Sequence, residues 1–135
     1  MHPGGPFFAR KDDGAWSVPK GEFEPGEDPV EAAVREFEEE IGVPPPVARE
    51  SLRELGSVRQ KAGKVVSVWC APGDLDASEI LSMTFTIEWP PRSGRLQAFP
   101  EVDRAEWFSV PEARVKLNPA QVEFVDRLED LLARP

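Results

Sequence analysis

Three glutamates, Glu36, Glu39 and Glu40, stand at helical spacing, directly after Arg35 and downstream of Glu27. At about 100° per residue their side chains share one arc of a helix, whereas Glu31 and Glu38 project elsewhere, toward solvent. Like charges three or four residues apart destabilise a helix by roughly 0.2–0.5 kcal/mol per pair. Acids crowded in this way need a counter-charge or must stand in water. A hard divalent cation supplies one, because Mg2+ and Mn2+ take carboxylate oxygens. A solvated acidic face is the plain alternative. Two features count against it: the arc borders an apolar stripe, and a Gly/Pro-rich loop beginning at Gly21 leads into the acids.

The elements that must hold these acids are legible around them. Asp28 reads as an N-cap and Pro29 as the first helical residue, where a missing N–H costs nothing. Gly42, followed by Pro44, Pro45 and Pro46, is a firm stop. Between them Val30, Ala33, Val34, Phe37 and Ile41 form the stripe that faces a core. Upstream runs Trp16-Ser17-Val18-Pro19-Lys20-Gly21. Pro19 keeps Val18 extended, Gly21 permits close backbone approach to a ligand, and Trp16 reads as core in preference to a stacking platform.

The rest of the chain supplies a scaffold. Residues 2–5 read as a turn and 7–9 as a short strand. Residues 50–60 read as an edge strand, Lys61-Ala62-Gly63-Lys64 as a hairpin turn, and 65–71 as the clearest strand. A loop over 72–82 precedes a strand over 83–89, with Phe85 and Ile87 on one face. A turn follows at 90–94. Residues 97–103 read as loop and 104–110 as a strand. A short helix begins at Pro111. Asn118-Pro119 starts the last helix, where Val122, Val125, Leu128, Leu131 and Leu132 recur at helical spacing. Strand, helix, several strands, helix is the order of an α/β (α+β) domain with a mixed sheet between helices.

Composition bounds the function. The chain has 135 residues, 40% hydrophobic, with four Trp and eight Phe, which is enough for one domain with a real core. A formal net charge of −9 argues against nucleic acid or an anionic membrane as a direct partner. It permits a phosphorylated substrate if cations mediate the contact. Cys70 and His2 are the only residues of their types, so neither an intrachain disulfide nor a Cys/His metal site is available. Cys70 reads as core, not nucleophile. With no signal peptide or membrane span in view, a cytoplasmic setting is expected.

The residues Gly21-x5-Glu27-x7-Arg35-Glu36-Phe37-x-Glu39-Glu40-x-Gly42-Val43 match every fixed position of the Nudix box, and on this basis the chain resembles the Nudix hydrolase family. The pattern covers 23 residues and is highly specific. The resemblance implies an α/β/α sandwich and a hydrolase that cleaves nucleoside diphosphates linked to another group, using Mg2+ or Mn2+. It implies Glu36, Glu39 and Glu40 as metal-binding carboxylates, with the Gly21 carbonyl as a further ligand. Arg35 would orient Glu36 or pair with Glu27. The general base is either a box glutamate or an acid on a distant loop, of which Glu101 is the first choice; Glu106, placed on the following strand, is the second.

Substrate choice lies outside the box. The Trp16-x-x-Pro19-Lys20-Gly21 lead-in is similar to that of dinucleoside-polyphosphate and inositol-pyrophosphate members, and the chain as a whole resembles bacterial NTP pyrophosphohydrolase and dinucleoside-polyphosphate hydrolase members. Lys20, Arg10 and Arg59 lead the candidates for phosphate contact, since basic groups, Arg above all, suit phosphate. Lys11, Lys61, Lys64, Arg92 and Arg95 are further ones. Family members normally carry a full strand before the turn that here reads His2-Pro3-Gly4-Gly5. Its lack would expose a strand edge and favour pairing between chains, with a homodimer as one outcome. A non-catalytic, nucleotide-sensing Nudix domain is the competing reading; a sensor has no need of all the acids.

Overall fold

A computed structural model describes residues 1–20, 25–60 and 63–134 of the chain. Gly21 and Lys61 lie outside the described residues, so the expected ligand carbonyl and part of the hairpin turn have no structural account.

Helix α1 spans Pro29–Ile41. The Asp28 carboxylate accepts from the Val30 N–H at 2.9 Å, and Pro29 opens the helix; such a cap contributes about 1 kcal/mol. Gly42 closes it at φ +95°, donating its N–H to the Glu38 carbonyl at 2.8 Å. A Cβ on Gly42 would lie 2.3 Å from the Leu81 carbonyl oxygen. The glycine is therefore required twice, by its left-handed conformation and by the loop that crosses the helix end. Gly42→Ala is expected to lose about 1–2 kcal/mol from conformation alone, and more from the clash. Thermal denaturation checks this; an unchanged Tm contradicts the close approach.

Among the described residues the strands pair in three antiparallel ladders. Strand β1 (His2–Pro3) pairs with β6 (Val102–Arg104), β2 (Arg53–Arg59) with β3 (Val65–Cys70), and β4 (Thr84–Glu88) with β5 (Leu96–Pro100). A single parallel bridge joins Trp16 to Leu117. Helix α2 spans Val110–Lys116 and α3 spans Val122–Ala133. The class is the expected α/β one, built of helices and small two-stranded sheets.

The core follows from alternation. Leu55 on β2 and Val66 and Val68 on β3 point to one face, where Phe124 from α3 closes over them with Leu128 and Leu131 alongside. Helix α1 packs on β3 from its apolar stripe. Ala32 and Ile41 are fully buried, while Ala33, Val34 and Phe37 line a cavity of 420 Å³ shared with Val68, Phe124 and Leu128. Trp16 is buried, as expected of a core residue, and Cys70 is half-buried with burial raising its thiol pKa. No described helix is long and apolar enough to cross a membrane.

Two expectations are corrected at the ends of the sheet ladders. Residues 7–9 form a turn, with Phe7 exposed, and the strand at the start is instead His2–Pro3. Gly5 at φ +93° swings the chain out of the ladder, so the Phe pair has no partner backbone. Likewise residues 97–103 are mostly strand, and the strand expected over 104–110 ends at Arg104. Ser109 starts α2 with a capping box, its hydroxyl and Glu112 satisfying each other's backbone N–H groups, which competes with extension. Glu106 and Trp107 therefore sit on unladdered, exposed chain.

Candidate functional site

Helix α1 presents its acids on a gradient from core to water. Glu40 is only 7% exposed. The side chains of Glu36 and Glu39 are 16% and 40% exposed, while Glu31 and Glu38 face solvent as expected. Burial follows from position: Glu40 sits beside Ile41, at the edge of the stripe that anchors the helix.

Arg35 gathers the partly exposed acids. Its Nε and Nη2 donate to the two oxygens of Glu27 at 2.9 and 3.0 Å, a bidentate pair. Its Nη1 donates to Glu36 Oε1 at 3.0 Å and reaches Glu39 Oε1 at 3.4 Å. The sequence left open whether Arg35 orients Glu36 or pairs with Glu27; the structure shows both. The Glu27 hydrogen bond, most of all, holds the guanidinium above its usual pKa range.

Glu40 has no such partner. Its one hydrogen bond among the described residues comes from the Lys20 N–H, at 3.4 Å. Burial pushes its carboxyl up to about 8; the Lys20 backbone and charge pull it down, and the charges of Glu36 and Glu101 push it further up. Glu36 is raised as well, first by burial, with Arg35 opposing and Glu39 and Glu101 adding to the shift.

Glu101 reaches these acids because of backbone stapling. It lies exposed between β5 and β6. Its N–H donates to the Met83 carbonyl at 2.8 Å, and the Met83 N–H donates to the Glu39 carbonyl at 3.3 Å. The Leu81 N–H donates to the Ile41 carbonyl at 2.8 Å. Residues 81–83 thus tie the C-terminal turn of α1 to the loop that carries Glu101. Glu106, exposed beside Trp107 and Phe108 on the cavity wall, has no bond to the cluster.

The donor chemistry fits a hard divalent cation. Every candidate side chain offers carboxylate oxygen, and Glu40 is a buried acid whose one hydrogen bond among the described residues is the long one from the Lys20 N–H. As they stand, no three described His, Cys, Asp or Glu side chains converge closely enough to hold an ion. Arg35 is the group now bridging Glu36 and Glu39, and Gly21 lies outside the described residues.

The other sequence candidates are dispersed. Lys20 is placed beside Glu40, through its backbone N–H and its charge. Arg10 lies exposed on the turn at 6–10 and Arg59 at the exposed end of β2; among the described residues no hydrogen bond or ion pair joins either to the acids. Sequence reasoning passed over two buried polar residues. His2 is 1% exposed, and Gln121, fully buried, accepts from the Val18 N–H and donates to Gln60. Nothing in their spacing marks them, because their partners are distant in sequence.

The raised Glu40 carboxyl sets a pH dependence. In the unfolded chain it titrates at the ordinary glutamate value of 4.5, and in the fold at about 8. Folding therefore favours the protonated form. Its contribution to stability is fully present below about pH 4.5 and is lost as pH rises toward about 8. Metal-free protein is expected to lose stability across that window, and Glu40→Gln to flatten the profile. Melting curves in chelator at a series of pH values check this; identical slopes for both proteins contradict it.

The family model for the NUDIX domain matches residues 6–128. A rat (Rattus norvegicus) protein, bis(5'-nucleosyl)-tetraphosphatase [asymmetrical], is 41% identical over 59 residues, which are 42% of this chain and 40% of the relative. The chain thus aligns with less than half the length of that curated relative. No solved structure matches the chain.

Proposed function

We propose that this chain, which belongs to the Nudix family, hydrolyses a phosphoanhydride bond in a nucleoside diphosphate linked to another group. A nucleoside triphosphate or a dinucleoside polyphosphate is the substrate class; the rat relative carries the latter in its name. The observation that carries this reading is Glu40, buried and raised to about 8, beside Glu36 and within reach of the charge of Glu101. A protein that only needed an acidic surface would leave these groups in water.

Glu36, Glu39 and Glu40, with the Gly21 carbonyl, would hold Mg2+ or Mn2+. Bound there, such an ion would supply charge neutralisation for the polyphosphate and Lewis acidity toward the attacked phosphorus and a water. The chain's own groups do the rest. Arg35 fixes the rotamers of Glu36 and Glu39 while Glu27 holds Arg35 from behind. Glu101, on its exposed loop, accepts the proton of the attacking water as the new P–O bond forms and the bridging P–O bond breaks. Lys20, placed beside Glu40, contacts a phosphate oxygen. The setting is cytoplasmic, where nucleotides are abundant and a lone cysteine stays reduced.

Incubation with a panel of nucleoside triphosphates and dinucleoside tetraphosphates, with and without Mg2+ or Mn2+, tests the reading. Metal-dependent release of a mononucleotide or pyrophosphate is the expected result. Tight binding without turnover across the panel overturns it.

A further inference from the structure

We propose that His2 is a positioning residue for Glu101, pinning the strand pair that presents this loop acid to the end of α1. The inference rests on the hydrolytic reading above, in which Glu101 takes part.

His2 is 1% exposed, so both ring nitrogens must find partners inside the protein. They do, on two different segments. Nδ1 meets Asp103 Oδ1 at 2.8 Å, and Nε2 meets the Lys11 carbonyl at 2.7 Å. A carbonyl only accepts, so Nε2 is a donor. The ring packs edge-on against Trp16, at 5.1 Å between centroids. The imidazole therefore ties β1 to β6, to the turn before residue 12 and to the core in one step.

What β6 carries makes this more than packing. Asp103 lies two residues after Glu101. The backbone of residues 2–4 runs alongside: His2 pairs with Arg104, Pro3 with Val102, and the Gly4 N–H donates to the Glu101 carbonyl at 2.9 Å. Gly4 is so close that a Cβ would lie 1.8 Å from the Pro100 carbonyl oxygen. On its other side Glu101 is held by Met83, and Met83 by Glu39. The loop acid is thus gripped between β1 and the end of the helix that bears the other acids. A ladder as short as His2–Pro3 is marginal without further contacts. The His2 ring adds a side-chain bond from β1 to β6 to that short ladder.

The test uses His2→Phe, which keeps a ring against Trp16, and Asp103→Asn, which changes the partner on the exposed side. Each is made alone and with Glu101→Gln. Both single variants are expected to lower kcat about 10- to 100-fold, the cost of a misplaced reacting group, with KM and metal affinity nearly unchanged. In the Glu101→Gln background neither is expected to lower kcat further. Amide hydrogen exchange at Gly4 is expected to accelerate in both. Equal losses of kcat with and without Glu101 overturn the proposal, as does unchanged exchange at Gly4. If the wild-type protein turns over nothing in the panel, the hydrolytic reading fails together with the kinetic role. Faster exchange at Gly4 then shows that the strap itself is real.

Discussion

Glu40→Gln is expected to lower turnover about 10³-fold, equivalent to roughly 4 kcal/mol of transition-state stabilisation, while the protein still folds. The substitution keeps the shape of the side chain and can keep the hydrogen bond from the Lys20 N–H. It removes the one carboxylate, among the described residues, that is almost wholly withdrawn from water. Metal-assisted phosphoryl chemistry is worth several kcal/mol, so losing a ligand outweighs any gain from relieving a buried charge. The two effects separate experimentally. Turnover should collapse, whereas the melting temperature in chelator near pH 8 should hold or rise, because folded Glu40 resists ionisation there. In wild type, saturating Mg2+ should raise the melting temperature, since an ion that binds only the folded state stabilises it by mass action. That increment should shrink in the variant. Near-normal rates in Glu40→Gln, with metal and a good substrate, would remove Glu40 from the site.

Arg35→Ala is expected to lower turnover about 10- to 100-fold, and Arg35→Lys to recover little of it. The guanidinium makes a bidentate pair with Glu27 and at the same time contacts Glu36 and Glu39. A lysine ammonium is a point charge without that fork, so it can meet one of these partners but cannot hold all of them in register. The effect on stability should be small, because exposed ion pairs contribute little and the Arg35 side chain is more than a third exposed. Orientation is what is lost: Glu36 and Glu39 become free to repel each other into separate rotamers. Steady-state kinetics with metal titration checks this. A fall in metal affinity together with kcat fits the argument; full rescue by lysine contradicts it.

How far the sequence reached depended on the range of the physics involved. Local signals worked. The Asp28 cap, Pro29 and Gly42 bounded α1 because capping and left-handed glycine act within a few residues. Asn118 caps as expected, accepting from the Ala120 N–H, but what it opens is a 3-10 turn over Pro119–Gln121, and the last helix follows from Val122. The hairpin strands β2 and β3 fell close to their expected limits, since β-branched runs around a turn pair with themselves. Pairing between distant segments was not legible. Residues 7–9 and 104–110 carry strand-forming side chains, yet the first has no ladder and the second is paired only at Arg104. A strand is completed by a partner backbone, and no side-chain pattern states where that partner is. His2 was passed over as part of a turn for the same reason: its partners are Lys11 and Asp103, and the second is far along the chain.

The acids from Glu27 to Glu40 follow the same division. The sequence alone determined that Glu36, Glu39 and Glu40 share one arc, that Glu31 and Glu38 lie off it, and that Arg35 stands among them, because helix periodicity is fixed by backbone geometry. Only the tertiary structure decided which acid is buried, that Arg35 serves Glu27, Glu36 and Glu39 together, and that Glu101 is stapled through Met83 to the end of the helix. Those outcomes depend on which surfaces the rest of the chain lays against α1. Burial and electrostatic coupling are properties of that packing, and no local pattern encodes them.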